Sequence, residues 1–161
     1  MSMMRAFLVL GLAVFFCRPV LAVESHHLPP FAWPVNGEII DEDDGRPCPA
    51  RYEGIDILVP EGTEVRASLA GTVIYSGDRL RGFGNLILIR HEGGWVTVYG
   101  QNSELFVNRG EEVQKGDVIA KSGRSGFVAR PELHFEIRKG QWAWNPQKYL
   151  PLLKPQDPEM P

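Results

Sequence analysis

The chain has 161 residues, with 17 Lys+Arg, 20 Asp+Glu and a formal net charge of −3. This length fits one domain, because domains run to roughly 100–200 residues. A nucleic-acid-binding protein carries a basic face or stripe, and this sequence has none. Length and charge therefore indicate a single, mildly acidic domain and exclude a nucleic-acid-binding one.

Residues 1–22 have the pattern of a secretory signal peptide. Arg5 supplies the positive charge, residues 6–16 form the apolar stretch, and Val20-Leu21-Ala22 is a small-residue cleavage site before Val23. The apolar stretch is too short to cross a bilayer, since a spanning helix needs about 20 residues. We therefore expect a cleaved signal peptide, an exported protein and no membrane anchor.

The chain contains two cysteines. Cys17 falls within the predicted signal peptide, where it could be the acylated cysteine of a lipoprotein, but Phe16 before it is bulkier than the small residue such sites require. Only Cys48 remains after maturation, so an internal disulfide and a paired-cysteine zinc or redox motif are excluded. We expect Cys48, between Pro47 and Pro49, to be a partly covered thiol, with an intermolecular disulfide as the alternative.

Hydrophobic periodicity indicates an all-β fold. Almost no window spaces apolar residues at i, i+3, i+4 and i+7 over three turns, so long helices are not expected. Short β-branched runs alternate with glycine-containing turns instead, which favours a compact antiparallel β-sandwich or barrel with little helix. The predicted strands cover residues 35–40, 54–59, 64–67, 72–76, 85–91, 95–100, 112–113, 118–122 and 133–138.

An internal repeat lies within these strands. Gly62-Thr63-Glu64-Val65 leads into Gly71-Thr72-Val73-Ile74, and Gly110-Glu111-Glu112-Val113 leads into Gly116-Asp117-Val118-Ile119. We interpret the repeat as a duplicated β unit folded into one sandwich, because a solenoid needs at least three copies. Chance similarity in a glycine-rich β protein is the alternative.

The rest of the chain divides around this unit. Residues 23–32 are expected to form a flexible lead-in and residues 33–150 the folded domain. Residues 151–161 contain four prolines and are expected to form a tail with little fixed structure.

His134 is the histidine of most interest. It alternates with the apolar residues Leu133 and Phe135 in a predicted strand. Because neighbouring side chains of a strand point to opposite faces, His134 is expected to point away from the core, on the same side as Glu132 and Glu136.

Several short motifs follow one another along the chain in a recognisable order. They are Trp33-Pro34-Val35-Asn36-Gly37, Gly54-Ile55-Asp56-Ile57, Pro60-Glu61-Gly62-Thr63-Glu64-Val65, Gly71-Thr72-Val73, Gly84-Asn85-Leu86, Val98-Tyr99-Gly100 and Leu133-His134-Phe135-Glu136. Their order resembles that of LytM-type, lysostaphin-like zinc metallopeptidase domains. The resemblance implies a β-sandwich called the duplicated hybrid motif, and members of that family cut peptide cross-bridges of the bacterial wall.

The same resemblance implies that the site has degenerated. The family's three zinc-ligand positions map onto Tyr52, Asp56 and His134, and its two catalytic histidine positions map onto Gln101 and Glu132. A catalytic zinc needs three protein ligands and an open position for water, whereas Asp56 and His134 supply two. We therefore expect no bound metal and no catalysis, with a divergent zinc endopeptidase using Asp56, His134 and Glu132 as the alternative.

Degenerate LytM domains occur as regulators, and the sequence resembles EnvC- and NlpD-type murein hydrolase activators in residues 78–89, 135–138 and 145–150. The resemblance implies a monomer in the periplasm of a Gram-negative bacterium. Its partner would be a periplasmic N-acetylmuramoyl-L-alanine amidase. This sequence carries neither the coiled coil nor the LysM module of those proteins, and a passive peptidoglycan-binding module is a further alternative.

The former active-site groove is the predicted partner-binding surface. Aromatic residues and arginine are the types that dominate binding energy at interfaces, so Arg81 and Phe83 are candidates, although Phe83 between two glycines could simply pack in a turn. Trp142 and Trp144 are expected to pack beneath the last strand, with a sugar-stacking surface as the alternative. The predicted groove residues are Tyr52, Asp56, Arg81, Phe83, Gln101, Glu132 and His134, and Asp56 and His134 are expected to hydrogen-bond to each other.

Overall fold

The computed structural model describes residues 29–40 and 54–152. The predicted signal peptide, most of the lead-in, Cys48, Tyr52 and the tail from residue 153 onward lie outside the described residues, and expectations for them stay predictions. Among the residues that are described, none belongs to a helix with the length and apolar character needed to cross a bilayer.

Short strands dominate the described residues, as the β-branched runs predicted. Two single-turn 3-10 helices accompany them, at Glu92–Gly94 and Pro146–Lys148. The strands are β1 (Glu38–Ile40), β2 (Ile55–Leu58), β3 (Glu64–Arg66), β4 (Gly71–Gly77), β5 (Asn85–Arg90), β6 (Trp95–Asn102), β7 (Glu104–Leu105), β8 (Glu112–Val113), β9 (Val118–Lys121), β10 (Glu132–Lys139) and β11 (Trp142–Trp144).

The strands form two sheets in which neighbours are antiparallel. The larger sheet has the order β1-β2-β10-β6-β5-β4-β8, with β11 also paired to β10, and the smaller sheet has the order β3-β9-β7. The larger sheet runs from β1 at one edge to β8 at the other. The described residues therefore form open, packed sheets, which confirms the antiparallel all-β prediction and excludes the closed-barrel alternative.

The internal repeat corresponds to a structural duplication. The first copy contributes β3 and β4, and the second copy contributes β8 and β9. β3 pairs with β9 and β4 pairs with β8, so each copy places one strand in each sheet and pairs it with the other copy. Gly62 and Gly110, which open the two copies, have φ of +85° and +96°, a conformation that glycine adopts without strain.

The nine predicted strands are all present, with ends that differ by up to three residues. Two strands were missed, β7 and β11, because two or three residues are too few to produce an alternating pattern. Trp144 contacts Trp95 and Tyr149 with ring centroids 6.3 and 6.1 Å apart. Trp142 and Trp144 were expected to pack beneath the last strand; they form β11 beside β10 instead and are 57% and 43% exposed.

The centre of the larger sheet is formed by β10 and its neighbours β2 and β6. Leu133, Phe135 and Ile137 of β10 are fully buried in the hydrophobic core. The alternate residues of the same strand carry polar groups on the opposite face, as the two-residue period requires. That polar face holds the candidate site.

Candidate functional site

Asp56 and His134 meet on adjacent strands. The antiparallel register of β2 and β10 places the two residues directly opposite each other. Nδ1 of His134 lies 2.6 Å from Oδ1 of Asp56. The expected hydrogen bond between Asp56 and His134 is therefore present. The register of two paired strands holds it in place.

The second ring nitrogen of His134 is also engaged. Nε2 lies 3.0 Å from Oε1 of Glu136, and Nε of Arg138 donates to the other oxygen of that carboxylate. The side chain of Glu136 is 1% exposed. Asp56 of β2 and His134, Glu136 and Arg138 of β10 thus form a continuous row of alternating charges on one face of the larger sheet, which we call the His134 cluster.

The cluster holds His134 in its charged form. Burial opposes the charge, but hydrogen bonds and Coulomb attraction from Asp56 and Glu136 outweigh burial and raise the pKa of His134 to about 9. Burial likewise opposes the charge on Glu136, yet its contacts with His134 and Arg138 lower the pKa of that carboxyl. The cluster therefore contains a salt-bridged imidazolium near neutral pH.

These residues do not fit a catalytic zinc ion. A histidine binds metal through a neutral, unprotonated nitrogen, whereas both nitrogens of His134 face carboxylate oxygens. Across residues 29–40 and 54–152, no group of three His, Cys, Asp or Glu side chains is arranged to hold a metal. Tyr52, at the remaining ligand position that the resemblance implies, lies outside the described residues.

Sequence reasoning placed Glu136 on the same face as His134 but gave it no role. They lie two positions apart in β10, and this spacing puts side chains of a strand on the same face. The contact with Arg138 repeats that spacing once more. The alternation of histidine, glutamate and arginine along one face was therefore the signal that could have identified the cluster.

Gln101 connects the sheet to a surface loop. Its side chain is buried, and Nε2 donates to the carbonyl of Gly82 at 3.0 Å while its backbone N donates to the carbonyl of Phe83 at 2.7 Å. Its φ is +67°, which is uncommon for a residue other than glycine. An amide cannot exchange a proton as imidazole does, so this residue positions the loop.

Phe83 covers the His134 cluster. Its ring lies edge-on to the imidazole of His134, with centroids 5.6 Å apart. The carbonyl oxygen and ring of Phe83 also approach Gly100 of β6. Phe83 is half-buried in this position, so it both packs in the turn and forms part of the accessible surface beside His134.

The other predicted groove residues occupy different positions. Arg81 is exposed in the loop that precedes β5. Glu132 is buried at the start of β10, and its backbone N donates to the carbonyl of Gly123 at 3.0 Å. Asp56, Phe83, Gln101, Glu132 and His134 therefore share one region, with Arg81 at its edge.

Two loops border this region, and we call them the first rim loop (residues 78–84) and the second rim loop (residues 123–131). Ser125 Oγ accepts a hydrogen bond from the backbone N of Asn85 at 2.8 Å. The backbone N of Phe127 lies 3.5 Å from the carbonyl oxygen of Gly82. Phe127 is 84% exposed, and sequence reasoning missed it because an apolar residue in a glycine-containing loop carries no periodic signal.

An antiparallel β-sandwich built from a duplicated unit, with an aspartate and a histidine paired on its polar face, defines a LytM-type peptidase domain. The chain belongs to peptidase family M23, whose family model matches residues 50–146. The family resemblance found in the sequence is thereby confirmed.

Individual relatives give a more specific resemblance. The chain is 39% identical over 142 residues to the uncharacterized lipoprotein YgeR of Escherichia coli K12, covering 83% of this chain and 54% of that protein. It is 39% identical over 108 residues to the cell division protein DipM of Caulobacter vibrioides, covering 67% of this chain and 18% of that protein. It is 37% identical over 119 residues to the murein hydrolase activator NlpD of Escherichia coli K12, covering 74% of this chain and 31% of that protein. The chain thus spans about half of YgeR and less of the others.

Among solved structures, the antimicrobial peptidase lysostaphin from Staphylococcus simulans has the same fold. It aligns with a TM-score of 0.59 and 29% sequence identity, covering 64% of this chain and 45% of that chain. The chain is therefore similar in fold to an antimicrobial peptidase and similar in sequence to a protein named as a murein hydrolase activator.

Proposed function

We propose that the protein is a non-catalytic activator of a periplasmic N-acetylmuramoyl-L-alanine amidase in cell-wall remodelling or cell division. The partner surface would be the former active-site groove around the His134 cluster. The observation that carries the proposal is the engagement of both ring nitrogens of His134 by Asp56 and Glu136. This arrangement would leave neither ring nitrogen of His134 free to bind a metal.

The residues at the two former catalytic positions support the proposal. The side-chain amide of Gln101 donates a hydrogen bond to the Gly82 carbonyl. It therefore holds the first rim loop in position beside the groove. Glu132 is buried at the start of β10, opposite Leu58 of β2. General acid–base catalysis needs a group whose pKa lies near the working pH, and an amide at position 101 does not supply one.

The names of the relatives point in the same direction. NlpD of Escherichia coli is named as a murein hydrolase activator and DipM of Caulobacter vibrioides as a cell division protein. YgeR is named as a lipoprotein of Escherichia coli. Together with the predicted signal peptide, these names favour a location in the envelope of a Gram-negative bacterium, and we place the protein in the periplasm.

Activation would work by a shift of populations. A ligand that binds the open state of an enzyme and not its closed state displaces the equilibrium by its difference in affinity for the two states. The amidase would supply the hydrolytic site, and this chain would supply a groove that accepts a segment exposed only in the open state. No proton transfer by this chain is needed.

Reconstitution tests the proposal. Each N-acetylmuramoyl-L-alanine amidase of the source bacterium is purified and incubated with dye-labelled sacculi, with and without the full mature chain. We expect no dye release by this chain alone and a marked increase when one of the amidases is present. Dye release by the chain alone, or no increase with any amidase, would contradict the proposal.

A passive peptidoglycan-binding module is favoured by one observation, the exposure of Trp142 and Trp144 on β11. Exposed aromatic faces suit apolar contact with a sugar ring. Sedimentation with purified sacculi in the absence of amidase distinguishes the two functions. Strong retention that is lost in Trp142→Ala, without amidase activation, would favour the passive module.

A further inference from the structure

Strand β11 and the end of β10 carry an aromatic surface on the face of the larger sheet opposite the His134 cluster. Side chains that pair directly across antiparallel strands lie on the same face. Trp144 pairs with Ile137, which belongs to the hydrophobic core. Trp142 pairs with Lys139, two positions further along β10. The residues of the His134 cluster on β10 alternate with these positions and point to the other face, so the sheet itself separates the aromatic surface from the groove.

The ring of Trp144 is held in place and is still accessible. It meets the rings of Trp95 and Tyr149 at angles of 60° and 77°, with centroids 6.3 and 6.1 Å apart. Trp95 is buried, and Nζ of Lys139 lies 4.8 Å from the centroid of its ring. Trp144 remains 43% exposed, and Trp142, on the same face of β11, is 57% exposed. Because packing already fixes Trp144, its ring loses little conformational entropy when a ligand contacts it.

The segment that carries these tryptophans is basic and rich in amides. Residues 138–150 contain three arginine and lysine residues and no aspartate or glutamate, although the whole chain has a net charge of −3. Lys139 and Lys148 are exposed, and so are the amide side chains of Gln141 and Gln147. The surroundings of the exposed rings therefore suit a ligand that is anionic and can form many hydrogen bonds.

We propose that this surface binds a glycan of N-acetylated amino sugars that carries carboxylate groups, which is the chemistry of the glycan strand of peptidoglycan. We call it the β11 surface, and it comprises Lys139, Trp142, Trp144 and Lys148. The apolar face of a sugar ring would pack on the exposed indoles. The neighbouring glutamine amides would hydrogen-bond to hydroxyl and acetamido groups, and the lysines would attract the carboxylates.

The inference goes beyond the proposed function, because it adds a second binding site to a domain whose groove engages an amidase. The β11 surface and the groove lie on opposite faces of the larger sheet, so one chain would hold the glycan and the amidase together. Linking the two raises the effective concentration of the amidase at its substrate. This gain rests on the proposed function, whereas binding of the glycan does not.

Binding to purified ligands tests the inference without an amidase. The probes are peptide-free glycan strands prepared from sacculi, the neutral hexamer of N-acetylglucosamine, free stem peptides, and vesicles of anionic phospholipid. We expect the mature chain to bind the glycan strands saturably, with affinity falling as salt rises from about 50 to about 300 mM. The hexamer, which lacks carboxylates, should bind more weakly. Absence of binding to the glycan strands, or binding only to vesicles or stem peptides, would overturn the proposal.

Variants identify the residues responsible. We expect Trp142→Ala to weaken binding to the glycan strands about tenfold, as loss of a dominant aromatic contact does. Trp142→Phe keeps a ring and should restore part of the affinity. Lys139→Gln with Lys148→Gln should remove most of the dependence on salt. Urea unfolding checks that each variant is folded, and the high exposure of Trp142 makes a large loss of stability unexpected.

Matched controls separate the β11 surface from the rest of the molecule. Phe106→Ala and Lys115→Gln alter exposed residues elsewhere and should bind glycan strands as the parent does. Phe83→Ala alters the groove and should also leave glycan binding unchanged. If Phe83→Ala abolishes binding and Trp142→Ala does not, the glycan binds in the groove and the inference is wrong.

The amidase assay distinguishes failure of this inference from failure of the proposed function. With a soluble muropeptide as substrate, Trp142→Ala should activate the amidase as the parent does, and on sacculi it should require a higher concentration. Equal loss on both substrates would place Trp142 in the amidase interface and refute the inference. Activation by a chain that binds no glycan strands would also refute it and leave the proposed function standing. Glycan binding through Trp142 without activation of any amidase would refute the proposed function alone.

Discussion

Glu136 lies with one carboxylate oxygen 3.0 Å from Nε2 of His134, and its side chain is 1% exposed. A buried carboxylate is stable only when its charge is paired. Glu136 has two cationic neighbours, His134 and Arg138. Its carboxylate therefore bridges His134 of the former active site and Arg138, which lies further along the polar face of β10.

We predict that Glu136→Gln lowers the free energy of unfolding by about 3 kcal/mol, because removing one partner of a buried ion pair leaves the other charge uncompensated. Urea unfolding at pH 7 measures the change. Glu104→Gln is the matched control, since it makes the same substitution at an exposed position and should change stability by less than about 0.5 kcal/mol. Similar effects of the two substitutions would show that the cluster does not stabilise the fold.

His91 should make stability depend on pH. Its buried ring lies 2.8 Å from the Ala70 carbonyl oxygen and 2.7 Å from Thr97 Oγ1. Burial lowers the pKa of His91 below its ordinary value of 6.5, and the hydrogen bond to Ala70 opposes this only in part. The unfolded chain therefore binds a proton at a higher pH than the folded chain does, and stability falls as pH drops below about 6.5.

The difference between the parent and His91→Gln isolates this effect, because all other groups titrate in both proteins. We expect the stability advantage of the parent to be largest above pH 7 and to shrink between about pH 6.5 and pH 5. Unfolding in urea at several pH values measures it. An advantage that stays constant over this range would contradict the assigned shift in pKa.

Gly126→Ala should separate the rim loops. Its Cβ would lie 2.1 Å from Gln101 Oε1 and 2.5 Å from the Gly82 carbonyl oxygen. Overpacking of this kind costs about 1–3 kcal/mol, and we expect the free energy of unfolding, measured in urea, to decrease by that amount. In a double-mutant cycle, Gln101→Ala should relieve part of the cost by removing the closer contact. If the two changes in unfolding free energy are fully additive, the side chains at positions 101 and 126 are not in contact.

Metal content tests the loss of the zinc site. We expect the purified chain to retain no stoichiometric zinc after dialysis, because a catalytic site needs three protein ligands. The triple substitution Tyr52→His, Gln101→His and Glu132→His restores the family's residues and should bind one zinc per chain, as measured by elemental analysis. Stoichiometric zinc in the unaltered protein would support the divergent endopeptidase instead.

The sequence alone determined the fold class and the face on which the site lies. The two-residue period of β10 placed Leu133 and Phe135 on the core face and His134 on the opposite, polar face. The repeated glycine motifs identified the duplicated β unit. These features are local, since they depend on residues that are close together along the chain. The family motifs also predicted which catalytic positions have changed.

Only the tertiary structure decided what each of these residues contacts. Periodicity gives the face of a strand but not its register, and the register of β2 against β10 is what brings Asp56 to His134. The contact between Gln101 and Gly82 joins β6 to the first rim loop, and the backbone N of Phe127 contacts the Gly82 carbonyl oxygen across the two rim loops. Such contacts join residues far apart in the sequence, and their geometry follows from packing rather than from any local pattern.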